Sequence, residues 1–277
     1  SHTVKVDCRQ AGLLDTCGTG GDRKGTFNIS TAVAFVVAGA GVAVAKHGNH
    51  GVSSSCGSAD VLKALGIRID LPAQSVADGI EAAQIGFLYA PTFHPAMKYA
   101  GKPRRELGFR TVFNVLGPLT NPLAAECQLL GVYDRSLTDK LANVLLQLNS
   151  RRAMVVHGLD GLDEISTSAP TQVSELLDGQ IRSYVIEPAD YGIPTADHAA
   201  ISGGSPTDNA EIINNILQGE RGAKRDLVLL NAAAALVVAG KAENIREGLK
   251  LAAGSIDSGA ARSKLERLRE LSLQKQC

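Results

Sequence analysis

The chain has 277 residues, with 28 Lys plus Arg against 28 Asp plus Glu, so it is long enough for one large domain or two small ones and carries no net field that would draw it to nucleic acid or an acidic lipid surface. Hydrophobic residues at 44% and charged residues at 20% exclude a disordered or fibrous chain. The longest apolar stretch, residues 32–45, has fourteen residues, short of the ~20 that span a bilayer; no secretory signal opens the sequence, and five scattered cysteines without a CxxC pair fit a reduced, cytoplasmic protein.

Short apolar runs alternate with amphipathic stretches, which predicts an α/β fold with a central mixed, mostly parallel sheet flanked by helices. An apolar strand over 13–17 leads into Gly18-Thr-Gly-Gly-Asp22 and then a helix over 29–39. Strand, glycine-rich loop and helix start together suit a phosphate, because bare amides and a helix N-terminus both favour an anion; a tight turn explains the glycines equally well in isolation. The spacing fits neither a Walker loop nor a dinucleotide fingerprint, since Arg23 stands where the latter needs glycine. Asn28, Ser30 and Thr31 surround the helix start, where capping accounts for only one of them. A strand over 42–45 is followed by Lys46-His-Gly-Asn49, a polar loop at the edge where such sheets bind ligands. Helices over 58–65 and 73–84 precede a strand over 86–90.

Residues 96–122 break the alternation as short helical pieces between prolines. They divide the chain into an α/β domain, 1–95 with 123–277, and a separate helical segment, 96–122. Lys98, Lys102, Arg104, Arg105 and Arg110 cluster there, whereas 160–190 carries seven acids and one base. The two segments either face one anionic ligand with its divalent cation or are two solvated faces. A strand over 128–133, a helix over 136–148 and a strand over 153–157 lead to His157-Gly-Leu-Asp-Gly-Leu-Asp-Glu164, whose adjacent acids suit cation ligation or an ordinary solvated turn. After a strand over 181–186 the pattern becomes helical, over 209–217, 226–238, 242–253 and 258–271. No Gly-x-Ser-x-Gly elbow occurs and no histidine has a recognisable nucleophile partner; His94 and His157 read equally as hydrogen-bonded core residues.

Eight blocks in order, Gly18-Thr-Gly-Gly-Asp22, Thr26-Phe-Asn-Ile-Ser-Thr31, Lys46-His-Gly-Asn49, Gly57-Ser-Ala-Asp60, His94-Pro-Ala-Met-Lys98, Arg104-Arg-Glu-Leu-Gly108, Phe113-Asn-Val-Leu-Gly-Pro-Leu-Thr-Asn-Pro122 and Asp160-Gly-Leu-Asp-Glu-Ile-Ser166, strongly resemble the anthranilate phosphoribosyltransferases. The resemblance implies a phosphoribosyltransferase-like sheet domain and the tryptophan-pathway transfer of phosphoribose from phosphoribosyl pyrophosphate to anthranilate with Mg²⁺. It implies phosphoribosyl pyrophosphate contacts at Gly18, Gly20, Gly21, Asp22, Thr26, Asn28, Ser30, Thr31, Lys46 and Ser58. Anthranilate contacts fall on Gly18, Asn49, His94, Arg104, Gly117 and Pro118, and metal ligands on Ser30, Asp163 and Glu164.

No residue is implied as acid or base, and neither a nucleic acid nor a membrane is an expected partner. This family begins with several helices and pairs largely through them as a homodimer, whereas this chain reaches its first strand almost at once; 96–122 is then what it carries of the small helical domain. His50 stands where the family usually has arginine. Two relatives of the same fold are the alternatives: a catalytically inactive nucleic-acid-binding paralogue, which the zero net charge disfavours, and a pyrimidine nucleoside phosphorylase, which Lys46-His-Gly and the Asp163-Glu164 pair disfavour.

Overall fold

The computed structural model describes residues 4, 8–51, 56–97, 99, 106 and 111–274. Among these, β1 (Leu14–Gly18), β2 (Val44–Gly48), β3 (Ile85–Tyr89), β4 (Cys127–Gly131), β5 (Arg152–Gly158), β6 (Thr171–Leu177) and β7 (Gln180–Ile186) form one sheet in the order β3-β2-β1-β4-β5-β6-β7. The pairings from β3 through β5 are parallel, and β5-β6 and β6-β7 are antiparallel. The mixed, mostly parallel sheet expected from the apolar runs is therefore present.

Side chains alternate across it, as a two-residue period requires. Leu14, Val44, Phe87, Leu129 and Met154 enter one large core, while Leu130 and Val155 face a second cluster and Leu13, Ala45 and Leu88 a third. The large core lies under α1 (Ile29–Gly39), nine of whose eleven residues are buried. The next three helices are α2 (Ser58–Ala64), α3 (Ala73–Ala83) and the short α4 (Ala90–Phe93); α5 (Phe113–Leu116) and α6 (Leu137–Gln147) follow. Residues of α3 and α6 close the other face, Val76 and Ile80 in the third cluster and Leu141 and Leu145 in the second.

The helical end of the chain comprises α7 (Pro206–Leu217), α8 (Ala223–Val238), α9 (Ile245–Asp257) and α10 (Ala260–Leu273). Ser205 and Asp208 cap α7 reciprocally, with Pro206 in its first turn, and the Asn244 side chain caps α9. These helices bury α1 from the side away from the sheet: α8 and α10 pack on it, and Ser255 Oγ donates to the Val36 carbonyl at 2.7 Å. A Cβ at Gly39 would overlap Ser255 and Ala261, so the close approach of α1 to α9 and α10 requires glycine there.

Two expectations change. The strand expected over 42–45 runs instead from Val44 to Gly48, because its ladder with β3 continues through Lys46↔Phe87 and His47↔Leu88. Lys46 and His47 are thus neighbouring strand residues on opposite faces rather than loop residues. The sequence pattern also leaves 171–177 unassigned, whereas it is β6, the central strand of the antiparallel half. Of the helical segment 96–122, the described part holds a 3₁₀ turn at Pro95–Met97, α5 and a second 3₁₀ turn at Gly117–Leu119.

Candidate active site

The chain leaves β1 towards β2 and β3 on one side and returns to β4 on the other, so the carboxyl ends of β1 and β4 border the crevice where open α/β sheets bind ligands. Gly18 ends β1, and Gly20 and Gly21 turn away from it with φ of +63° and +81°, a region open to glycine at no steric cost. The Gly20 N–H donates to Asp163 Oδ2 at 2.8 Å. A Cβ on Gly18 would stand 2.8 Å from the same oxygen, and one on Gly131, at the end of β4, would overlap the Asp163 carbonyl. Two strand ends without side chains thus admit the loop that follows β5.

On the α1 face of β2, buried Lys46 donates to the Thr16 carbonyl and to Ser30 Oγ, the latter at 3.1 Å. The Ser30 N–H also faces the Glu164 carboxyl and favours its ionised form. Asp163 thus feels the charges of Asp22 and Glu164, whereas Lys46 feels Asp15 first and then Glu164. Burial, then the charges of Asp22 and Glu164, hold Asp163 well above the carboxylate range. Burial pushes Glu164 up to about 8 despite Lys46, and burial likewise lowers Lys46. Asp22 Oδ2 is buried without a hydrogen-bond partner among the described residues, as is Thr31 Oγ1.

The Asn28 side chain bonds Cys56 and Asn209, Thr26 forms an antiparallel bridge with Ser202, and Ser58 Oγ lies 3.4 Å from the Asn49 carbonyl just past β2. His50 contacts the Asp60 carboxylate, which also accepts from Gly51 N at 3.0 Å and Gly57 N at 2.8 Å.

The opposite face is built from polar residues inside the strands. Asp15 accepts from His47 N at 3.1 Å and from Asn121 Nδ2 at 2.9 Å, and Asn121 also donates to the Ala45 carbonyl at 2.8 Å. Gln128 Nε2 donates to the Pro118 carbonyl at 2.7 Å. These bonds seat Gly117–Leu119 against β1, β2 and β4. His47 Nδ1 lies 3.0 Å from the Gly117 carbonyl; a carbonyl only accepts, so the proton sits on Nδ1 and Nε2 keeps its lone pair.

The His47 ring meets His94 edge-on at 5.1 Å between centroids, and both Nε2 atoms are buried without a partner among the described residues. Burial first, then the charge of His94, brings His47 down to about 4, and burial lowers His94 as well. Burial raises Asp15 to about 6. Both imidazoles are neutral near pH 7, with a free basic nitrogen each.

The crevice gathers Gly18, Gly20, Asp22, Ser30, Lys46, Asp163 and Glu164 on one side and His94, Gly117 and Pro118 on the other. Arg104 and the rest of the basic cluster lie outside the described residues. The acidic stretch 160–190 does not act as one face: Asp163 and Glu164 enter the site, Asp160 accepts from Ser166 Oγ at 2.8 Å, and Glu175 pairs with Arg182. The two acids stand in the connection between β5 and β6, not on a strand. His157 has the plainer of its two readings, with Nδ1 donating to the Val132 carbonyl at 2.7 Å. Asp15, His47, Asn121 and Gln128 were not singled out from the sequence. Their one signal there is a polar residue inside an apolar run, as in Leu13-Leu14-Asp15.

Among the described residues no three acidic, histidine or cysteine side chains close on one point. An ion that keeps its waters and shares its ligation with a substrate phosphate needs only one or two protein carboxylates, and the adjacent Asp163 and Glu164, each raised in part by a neighbouring acid's charge, fit such a cation.

The family model for the glycosyl transferase family a/b domain matches residues 10–262. The anthranilate phosphoribosyltransferase of Moorella thermoacetica is 59% identical over 254 residues, covering 92% of this chain and 75% of that protein. The crystal structure of the anthranilate phosphoribosyltransferase from Thermus thermophilus superposes with a TM-score of 0.93 at 42% identity, over 98% of this chain and 81% of that one. The Saccharomyces cerevisiae enzyme, solved in complex with phosphoribosyl pyrophosphate and Mg, gives 0.91 at 32% identity, over 98% and 76%. The same yeast enzyme has also been solved with 4-fluoroanthranilate. The chain belongs to the anthranilate phosphoribosyltransferase family.

Proposed function

We propose that the chain transfers the 5-phosphoribosyl group of phosphoribosyl pyrophosphate to the amine of anthranilate, releasing pyrophosphate. The observation that carries this is the placing of the Asp163-Glu164 pair against a glycine loop and Lys46 at the sheet's switch point: Gly20 N–H donates to Asp163, and Glu164 feels the charge of Lys46, which donates to Ser30. Gly18, Gly20, Gly21, Asp22, Thr26, Asn28, Ser30, Thr31, Lys46 and Ser58 are the proposed contacts for phosphoribosyl pyrophosphate. Gly18, Asn49, His94, Arg104, Gly117 and Pro118 are proposed for anthranilate, with 96–122 contributing from the small helical domain. Ser30, Asp163 and Glu164 would hold Mg²⁺, which when bound neutralises phosphate charge as the pyrophosphate leaves.

Each side of the crevice then has its task. Leaving-group charge develops against loop amides already aimed by Gly20 and against the Lys46 ammonium, so no reorganisation is needed at the moment of reaction. Anthranilate attacks as a neutral amine, and the Arg104 guanidinium would orient it through its carboxylate. The amine proton has two acceptors on this chain, Nε2 of His47 and Nε2 of His94, both kept neutral by burial. Loss of anthranilate fluorescence that requires both phosphoribosyl pyrophosphate and Mg²⁺ is the expected result. Fluorescence that persists with all three present, or phosphorolysis of a pyrimidine nucleoside instead, would refute the assignment.

A further inference from the structure

Two side-chain amides, buried Asn209 and half-buried Asn28, form a relay whose direction is fixed at both ends. At one end the Gly204 N–H donates to Asn209 Oδ1 at 2.8 Å. A backbone N–H only donates, so the Asn209 oxygen points to Gly204 and its Nδ2 points the other way. Nδ2 of Asn209 then donates to Asn28 Oδ1 at 3.0 Å. At the far end Asn28 Nδ2 donates to the Cys56 carbonyl at 3.2 Å, and a carbonyl only accepts. Both termini agree on one orientation of both amides, which removes the usual ambiguity between amide oxygen and nitrogen. Cys56 Sγ, 3.2 Å from Asn28 Oδ1, faces the same oxygen, and burial raises the Cys56 thiol so that it stays protonated.

We propose that Asn209 is a positioning residue for phosphoribosyl pyrophosphate: by pinning the Asn28 oxygen inward, it leaves an amide N–H of Asn28, and not its oxygen, for the anionic ligand. Asn28 has four hydrogen-bonding positions. Its oxygen is occupied by Asn209 and Cys56, and one of its two N–H bonds by the Cys56 carbonyl. A reversed amide would present an acceptor to acceptor-only phosphate oxygens and repel them.

The segment that carries Asn209 is built to hold still. The Gly203 N–H donates to the Gly25 carbonyl at 2.9 Å, and Ser202 bridges Thr26. A Cβ on Gly203 would stand 2.6 Å from Phe27 N and 2.7 Å from Asn209 Oδ1. The start of α7 and the loop before α1 are thereby in backbone contact, although Asn28 and Asn209 are 181 positions apart in the chain.

The proposal rests on the functional reading above, in which Asn28 touches phosphoribosyl pyrophosphate. Its test is Asn209→Asp, which keeps the shape and the acceptor for Gly204 but turns an oxygen towards Asn28 and forces that amide to reverse. The expected result is a roughly tenfold rise in the KM and calorimetric Kd for phosphoribosyl pyrophosphate, with the anthranilate KM within about twofold of the parent, since one hydrogen bond to an anionic ligand is worth about that much. In an Asn28→Ala background the same change should have no further effect on phosphoribosyl pyrophosphate. Asn209→Ala, which removes the donor without burying a charge, is measured in the same way should the aspartate keep the chain from folding. A lowered Tm with an unchanged Kd for phosphoribosyl pyrophosphate would show that Asn209 only packs α7, and would overturn the proposal alone. No binding of phosphoribosyl pyrophosphate by the unmodified chain would sink the functional reading and the proposal together.

Discussion

Two of the carboxylate sites on and beside the sheet treat their charge in opposite ways. Glu175 of β6 is buried and faces Arg182 across the antiparallel ladder; Nε and Nη2 of that arginine both lie 2.8 Å from Glu175 Oε2. Its charge is answered by its own chain. Asp163 and Glu164, in the connection after β5, lie beside Asp22, with Glu164 buried and Asp163 half-buried, and no arginine or lysine among the described residues forms an ion pair with either of them as Arg182 does with Glu175. Burial of a charge is tolerated only when it is paired, hydrogen-bonded or neutralised by a proton. The antiparallel pair uses the first solution, and at the switch point burial and the neighbouring acids favour the last. Unanswered charge at the end of a parallel strand is therefore the mark of a partner that arrives from outside.

The sharpest way to break this contrast is to remove the acids from each place in turn. Asp163→Asn with Glu164→Gln should lower turnover by ~100- to 1,000-fold, the scale on which electrostatic stabilisation of a leaving group acts, and should raise the Mg²⁺ concentration needed. The Tm of the ligand-free double variant should not fall, because neutral amides replace groups that resist ionisation there. An active double variant with an unaltered Mg²⁺ dependence would remove these acids from the metal site.

Gly131 tests the backbone beneath the contrast. A Cβ there overlaps the Asp163 carbonyl, and neither atom is the end of a flexible side chain. Gly131→Ala is expected to cost on the order of 3 kcal/mol of stability, at the upper end for overpacking, and to weaken Mg²⁺-dependent activity as the acid loop shifts. Urea unfolding together with a Mg²⁺ titration measures both.

Much of the phosphate side was legible in the sequence because its residues are adjacent there. Glycines 18, 20 and 21 follow one apolar run, and Asp163-Glu164 follows another; a loop at a strand end needs only local pattern to be seen. The other side was not legible, for a topological reason. Asp15, Asn121 and Gln128 acquire their meaning from β1 lying between β2 and β4, and no local window contains that order. Strand 171–177 was missed for a related reason: Glu175 counted as one more acid in a charged stretch until Arg182, on the neighbouring strand, became its partner. Asn209 shows the same limit, since only the folded chain brings it to Asn28.

His47 adds a third treatment of a buried ionisable group, one that stays neutral by refusing a proton. In the folded state it titrates near pH 4, whereas unfolded histidine titrates near 6.5. Between those values the unfolded state binds the extra proton, so this residue's contribution to stability is present above about pH 6.5 and is lost as pH falls towards 4, by up to roughly 3 kcal/mol. Asp15, raised to about 6, acts with the opposite sign and gives back stability as pH falls through that value. His47→Gln should flatten the acid limb of a Tm-versus-pH curve, while an unchanged slope between pH 6.5 and 4.5 would place the acid sensitivity elsewhere.

The smallest effect is expected at Glu175, and it completes the comparison. Glu175→Gln keeps the size of the side chain and one acceptor, and Arg182, whose side chain is 69% exposed, returns to water instead of being stranded as a buried charge. The loss is therefore that of a charge-assisted hydrogen bond at a wet edge, about 1 kcal/mol once solvent screening is counted. Turnover and Mg²⁺ dependence should match the parent, because β6 and β7 lie beyond β5 from the crevice. Chemical unfolding beside a Mg²⁺ titration separates the two quantities. If Glu175→Gln changed the Mg²⁺ requirement while leaving stability intact, the antiparallel acid would belong to the site after all, and the distinction between an answered and an unanswered carboxylate would fail where it is most easily measured.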